Sequence, residues 1–138
     1  MKYRELQKQI QQEVNSFPMA FAFSYEQLKE GLKRLGAWSG SVVSIGGGGF
    51  IRKSDKDSFQ QMFKRHEVMR KEALKDDNFL IDALEYELAN HEYCITYDPE
   101  PALSMLGISE NDIDDRVRKC FKRAEDSYLK ACEENGWG

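Results

Sequence analysis

An α+β fold, with a small antiparallel three-stranded sheet packed against several helices, is what this sequence predicts, from three observations. Apolar residues recur at helical spacing in several long segments. Short apolar runs flank the four glycines Gly46-Gly47-Gly48-Gly49. Beyond residue 54 the helical pattern is almost continuous, so the C-terminal half is expected to be helix-rich and to contain an αα-hairpin. With 138 residues, 41% of them hydrophobic and 12% aromatic, the chain fits a single domain spanning residues 1–138 with one buried core.

Tyr3, Leu6, Ile10 and Val14 share one face of a first helix over residues 2–15. Pro18 ends it. Met19 to Phe23 reads as a short buried strand with its large side chains on alternate positions. Ser24 with Gln27 three residues later is a capping signature. It opens a helix striped by Tyr25, Leu28, Leu32 and Leu35 and closed by Gly36. Trp38 to Ile45 and Phe50 to Arg52 then form the two strands of a hairpin around the glycine run.

Ser54 is expected to cap a third helix, whose stripe is Phe59, Met62, Phe63, His66, Met69 and Ala73, with Asp55 and Asp57 at the positive end of its dipole. Asp76-Asp77-Asn78 breaks the pattern. A fourth helix carries Leu80, Ala83, Leu84, Leu88 and His91, then runs out near Cys94 into an extended piece from Ile95 to Pro99. Pro101 to Leu106 makes a helical turn ended by Gly107. Ser109 is expected to cap a long final helix striped by Ile113, Val117, Cys120, Phe121, Ala124 and Tyr128.

A net charge of −4 and a pI near 5.3 argue against a nucleic-acid-binding surface and suit a soluble cytoplasmic protein. The basic run Arg116 to Arg123 follows the acids Glu110, Asp112, Asp114 and Asp115, the order that a helix dipole favours on a solvated face. Cys94, Cys120 and Cys132 are odd in number and unrelated in spacing, which predicts reduced thiols. The first residues are polar rather than a signal core, and no run reaches the roughly 18 apolar residues of a membrane span. Trp137 is free to pack on the body or on a second subunit.

Both histidines precede glutamate, as His66-Glu67 and His91-Glu92, and both replace an apolar residue on a helix stripe. Glu87 lies one turn before His91, on its face. If the third and fourth helices fold back on each other near residue 77, the imidazoles are offset by about 5 Å, one helical turn. Two histidines and a carboxylate suit a divalent transition metal, the only cofactor these residues admit; otherwise none is implied. Asn90, Glu92, Thr96 and Asp98 would surround that site or bind a small ligand. The alternative is architectural: a core histidine satisfied by one carboxylate. No His-Glu-x-x-His motif is present, which argues against a zinc protease.

The glycine run before Arg52-Lys53-Ser54 lacks the glycine that a phosphate-binding P-loop needs directly before its lysine, so a hairpin tip is expected. Arg52 could still help hold an anion. Cys94 near His91 reads as a buried cysteine ending a helix rather than an activated nucleophile.

The segment Glu87-Leu88-Ala89-Asn90-His91-Glu92-Tyr93-Cys94-Ile95-Thr96-Tyr97-Asp98 resembles a motif of a family of small uncharacterised proteins from phages, mobile elements and gut bacteria. Phe21-Ala22-Phe23-Ser24, the glycines before Phe50, and Phe63-Lys64-Arg65-His66-Glu67 share the resemblance, which extends over roughly residues 17–108. It implies no catalytic role. It does imply a setting in the cytoplasm of a bacterial host, where small acidic proteins bind and inhibit defence components.

The leading expectation is therefore a non-enzymatic binding protein of phage or mobile-element type, which inhibits a host defence system by binding a protein or sequestering a small ligand. A metal-dependent enzyme using His66, His91 and Glu87 is one alternative. A structural or regulatory homo-oligomer built on the final helix is the other. Neither a nucleic acid nor a membrane is an expected partner.

Overall fold

The computed structural model describes residues 1–136, so Trp137 lies outside the described residues. Among those residues it contains seven α-helices and a three-stranded antiparallel sheet, an α+β fold. The chain divides into two compact units, residues 9–69 and residues 1–8 with the described residues from 70 onward. Helices α1 (Tyr3–Ser16) and α3 (Lys56–Ala73) each contribute residues to both.

In the unit of residues 9–69, strands β1 (Ala20–Phe21), β2 (Val42–Gly46) and β3 (Gly49–Arg52) form a sheet of order β1-β3-β2. Ala20 pairs with Phe50, and Val43 with Ile51. Gly47 and Gly48 turn the hairpin with φ of 57° and 80°, both in the left-handed region that glycine adopts at little cost. Helix α2 (Tyr25–Leu35) begins where Ser24 Oγ accepts from Gln27 N and ends at Gly36, φ 62°. Ala20, Leu35 and Phe50 form the core here, with Leu28, Leu32 and Val42 against them.

Three expectations need correction. Only Ala20 and Phe21 of the Met19–Phe23 run pair as strand, and its large side chains do not point inward: Ala20 is 1% exposed, but Phe21 is 53% and Phe23 78% exposed. The reason is the approach of α2. A Cβ added at Gly31 would sit 2.9 Å from the Ala20 Cβ and 2.7 Å from the Phe50 ring, so position 20 has no room for a side chain larger than alanine. The phenylalanine rings lie instead over the hairpin, Phe23 at Gly48 and Phe21 at Gly49. The second correction is the start of β2, at Val42 rather than Trp38. Residues Ser39–Ser41 form a 3₁₀ turn in which Ser41 Oγ accepts from Trp38 N and donates to Trp38 O, local bonds that compete with the sheet ladder. Another 3₁₀ turn, Lys53–Asp55, takes up Ser54, so α3 begins at Lys56.

In the other unit, α4 (Asp77–Asn90) is capped by Asp76, which accepts from Phe79 N at 2.9 Å. Within this unit α4 packs most extensively on α7 (Asp115–Glu134), then on α6 (Glu100–Met105). Leu80, Leu84 and Leu88 of α4 meet Val117, Cys120, Ala124 and Tyr128 of α7 in one core. Burying side chains of this size contributes about 1.5–3 kcal/mol each.

Here too the sequence expectation fails at two points. Residues 95–99 are not an extended piece: Tyr93–Thr96 form a short helix, α5, because Thr96 N and Tyr97 N bond back to the carbonyls of Glu92 and Tyr93. Nor does Ser109 open the final helix. Its N–H and hydroxyl both donate to Asp112 Oδ2 in a 3₁₀ turn, Ile113 is extended, and Asp114 then caps α7 by accepting from Val117 N at 2.9 Å. Two cap signatures stand in series, and the second starts the helix. No helix among the described residues is long and apolar enough to cross a membrane.

Candidate functional site

Glu87 is the buried carboxylate of the helical unit, 1% exposed in the last turn of α4. Three groups meet it. Tyr3 Oη donates at 2.8 Å, Asn90 Nδ2 donates at 3.4 Å, and His91 Nε2 lies 3.2 Å away, at ion-pair distance but without hydrogen-bond alignment. Tyr3 is held in turn by Gln7, whose Nε2 donates to its hydroxyl, and by edge and tilted contacts with Phe79 and Tyr86. Its backbone N–H, an unpaired donor at a helix start, is taken by Asp82 Oδ2 at 2.8 Å. Burial, the bond to Glu87 and that carboxylate's charge all push the Tyr3 phenol above its ordinary range.

The following residues are held under backbone strain. Glu92 and Tyr97, at either end of α5, have φ of 55° and 54°, values uncommon for residues with a Cβ. Packing fixes the segment between them. Tyr93 is buried and donates to Glu125 Oε2 at 2.6 Å, and Cys94 N donates to Tyr128 Oη at 3.1 Å. Burial first, then the Glu125 bond and charge, push the Tyr93 phenol up to about 12. Thr96 Oγ1 accepts from Asp98 N, and Asp98 Oδ1 accepts from Glu100 N, so both serve the local turn. Glu92 is exposed.

His66 lies in the other unit, fully buried on α3, with Nε2 2.9 Å from Glu13 Oε2. Arg65 pairs with the other oxygen of Glu13. Arg52 donates to Asp55 Oδ2 at 2.8 Å and to Leu35 O at 3.4 Å. Each imidazole is thus beside a carboxylate of its own unit. Among the described residues, no group of three or more His, Cys, Asp or Glu side chains is arranged to hold a metal ion.

The sequence reading did not foresee Glu13, Tyr3 and Glu125 as partners. For two of them a signal exists: Glu13 borders the stripe of α1, three residues after Ile10, and Glu125 borders that of α7, one turn after Phe121.

A groove was also missed. Pro99, Leu103, Ile113, Val117 and Phe121 line an apolar depression of about 350 Å³ between α6 and α7. Arg118 and Lys122 stand on its lip, their side chains 66% and 69% exposed; Arg118 pairs with Asp115, and Lys122 with Asp126 and Glu125.

The fold and the sites together define an α+β protein whose buried polar groups bond inward, beside an apolar groove that opens outward. The chain belongs to DUF7659, a family of unknown function whose model matches residues 2–127. No curated protein and no solved structure matches it.

Proposed function

We propose that this is a non-enzymatic binding protein of phage or mobile-element type, which inhibits a component of its host's defence by holding a protein partner. The groove between α6 and α7 carries the reading. Its floor is apolar and its lip is basic, so the complementary ligand is a segment with one bulky apolar side chain flanked by aspartate or glutamate. The disposition of the reactive groups supports it: Glu87 accepts from Tyr3 and Asn90, Tyr93 is spent on Glu125, and His66 lies against Glu13. The phage setting rests on the resemblance of the Glu87–Asp98 segment.

Capture from a bacterial lysate with the wild-type chain and with Arg118→Glu/Lys122→Glu tests the reading, followed by reconstitution with the purified partner. Both positions are exposed, so the fold should survive. The expected result is one partner bound by the wild type and about tenfold or more weaker binding when both lip charges change sign. Equal binding by the two proteins, or steady turnover of a nucleotide or phosphoester by the purified chain, would overturn it. A small molecule retained in native mass spectrometry, with no protein captured, would replace it with ligand sequestration.

A further inference from the structure

Two of the three cysteines meet at one phenol. Tyr128 and Cys132 are one turn apart on α7 and share a face. Helix α5 brings Cys94 to the same place: its backbone N–H donates to Tyr128 Oη at 3.1 Å. Cys94 and Cys132 are both near neighbours of that phenol, and Cys94 is in turn a near neighbour of the Cys132 thiol. Cys94 is half-buried and Cys132 only 2% exposed. Cys120 is buried in the same core, but its electrostatic neighbours are Asp77, Arg116, Arg123 and Asp114 rather than a second thiol.

We propose that Cys94 and Cys132 are an oxidation site, closing to an intramolecular disulfide when the protein meets a peroxide. Cys94 is the more exposed residue of the two and reacts first. Its thiolate attacks one peroxide oxygen, the O–O bond breaks, the leaving oxygen departs as water after taking a proton, and Cys94 becomes a sulfenic acid. The Cys132 sulfur then attacks the sulfenic sulfur. An S–S bond forms, the S–O bond breaks, and a second water leaves with the thiol proton. Two thiols and one hydrogen peroxide give one disulfide and two waters. Burial raises the Cys132 thiol above its ordinary range, so it stays protonated and unreactive toward peroxide until a sulfenic acid stands beside it. The same burial makes it a resolving partner rather than a first target. Closure would tie α5, with its left-handed flanks, covalently to α7.

The test is to treat the full chain with hydrogen peroxide, alkylate it under denaturing conditions, and map the peptides by mass spectrometry. The expected product is two hydrogens lighter, keeps one alkylatable thiol of three, and contains a Cys94–Cys132 linked pair that a dithiol reductant reverses. Cys120→Ser should form the bond at an unchanged rate, whereas Cys94→Ser should not form it. The wild-type map is the primary readout, because Cys132 variants alter a buried position. Three free thiols after treatment, a Cys94 that stops at sulfinic acid, or a link through Cys120 or a second copy would overturn the proposal.

Discussion

The Tyr3 hydroxyl donates a 2.8 Å hydrogen bond to the buried Glu87 carboxylate, joining residues 84 positions apart in sequence. Asn90 approaches the same carboxylate at 3.4 Å, and His91 is misaligned for a hydrogen bond, so Tyr3 makes the shortest bond in the cluster. Tyr3→Phe keeps the ring contacts with Phe79 and Tyr86 but withdraws the donor. Withdrawing one hydrogen-bond donor from a buried acceptor costs about 1–3 kcal/mol. Urea unfolding of Tyr3→Phe should show a loss of that size, and Tyr3→Phe/Glu87→Leu should recover part of it. A midpoint equal to that of the wild type would mean that Glu87 does not depend on this bond.

Gly31 is set by space. An added Cβ would meet the Phe50 ring at 2.7 Å and the Ala20 Cβ at 2.9 Å, both in the core of the unit formed by residues 9–69. In an open helix position Gly→Ala would stabilise by up to about 1 kcal/mol. Here overpacking should reverse the sign and cost about 1–3 kcal/mol. Lys33→Ala, on the exposed side of the same helix, is the control and should change little. A Gly31→Ala protein as stable as the wild type would show that the sheet can retreat from α2.

Phe21 and Phe23 cover the glycine turn while remaining more than half exposed. Replacing Phe23 by serine should cost less than about 1 kcal/mol globally, because little apolar area leaves the core. The local effect should be larger. Amide exchange at Gly48 should quicken in Phe23→Ser, since the Phe23 ring packs against that glycine. Equal exchange rates in the two proteins would separate the ring from the order of the turn.

These cases show where the sequence was legible. The glycine hairpin, the Ser24 start and the Gly36 stop are set by backbone groups a few residues apart, and their positions follow from spacing alone. The direction in which Phe21 and Phe23 point depends on how closely Gly31 lets α2 approach, which no local pattern encodes. Likewise, the stripes placed His66 and Glu87 inside, but their partners Glu13 and Tyr3 come from a different helix. Alternation identifies two faces of a strand without saying which is buried. α5 escaped notice because the left-handed backbone at Glu92 and Tyr97 is imposed by the packing of Tyr93 on α7.

Alkaline pH should expose the buried phenols as a group. The Tyr93 phenol rises from 10.0 to about 12, and the phenols of Tyr3 and Tyr128 rise as well, chiefly through burial. A raised value means that the folded chain holds the proton more tightly than the unfolded one. The stabilisation is therefore fully present below pH 10 and is lost as pH climbs from 10 toward 12. The Cys120 and Cys132 thiols, raised from 9.0 by the same burial, start the decline about one pH unit earlier. Unfolding free energy should thus hold level to about pH 8, soften near pH 9 and steepen above 10, by about 1.4 kcal/mol per pH unit for each proton the unfolded chain has released. Tyr93→Phe removes one such proton and should flatten the curve between pH 10 and 12 while leaving the thiol-driven part near pH 9 unchanged. Curves for wild type and Tyr93→Phe that run parallel through that window would show that the Tyr93 phenol ionises as readily in the folded chain as in the unfolded one.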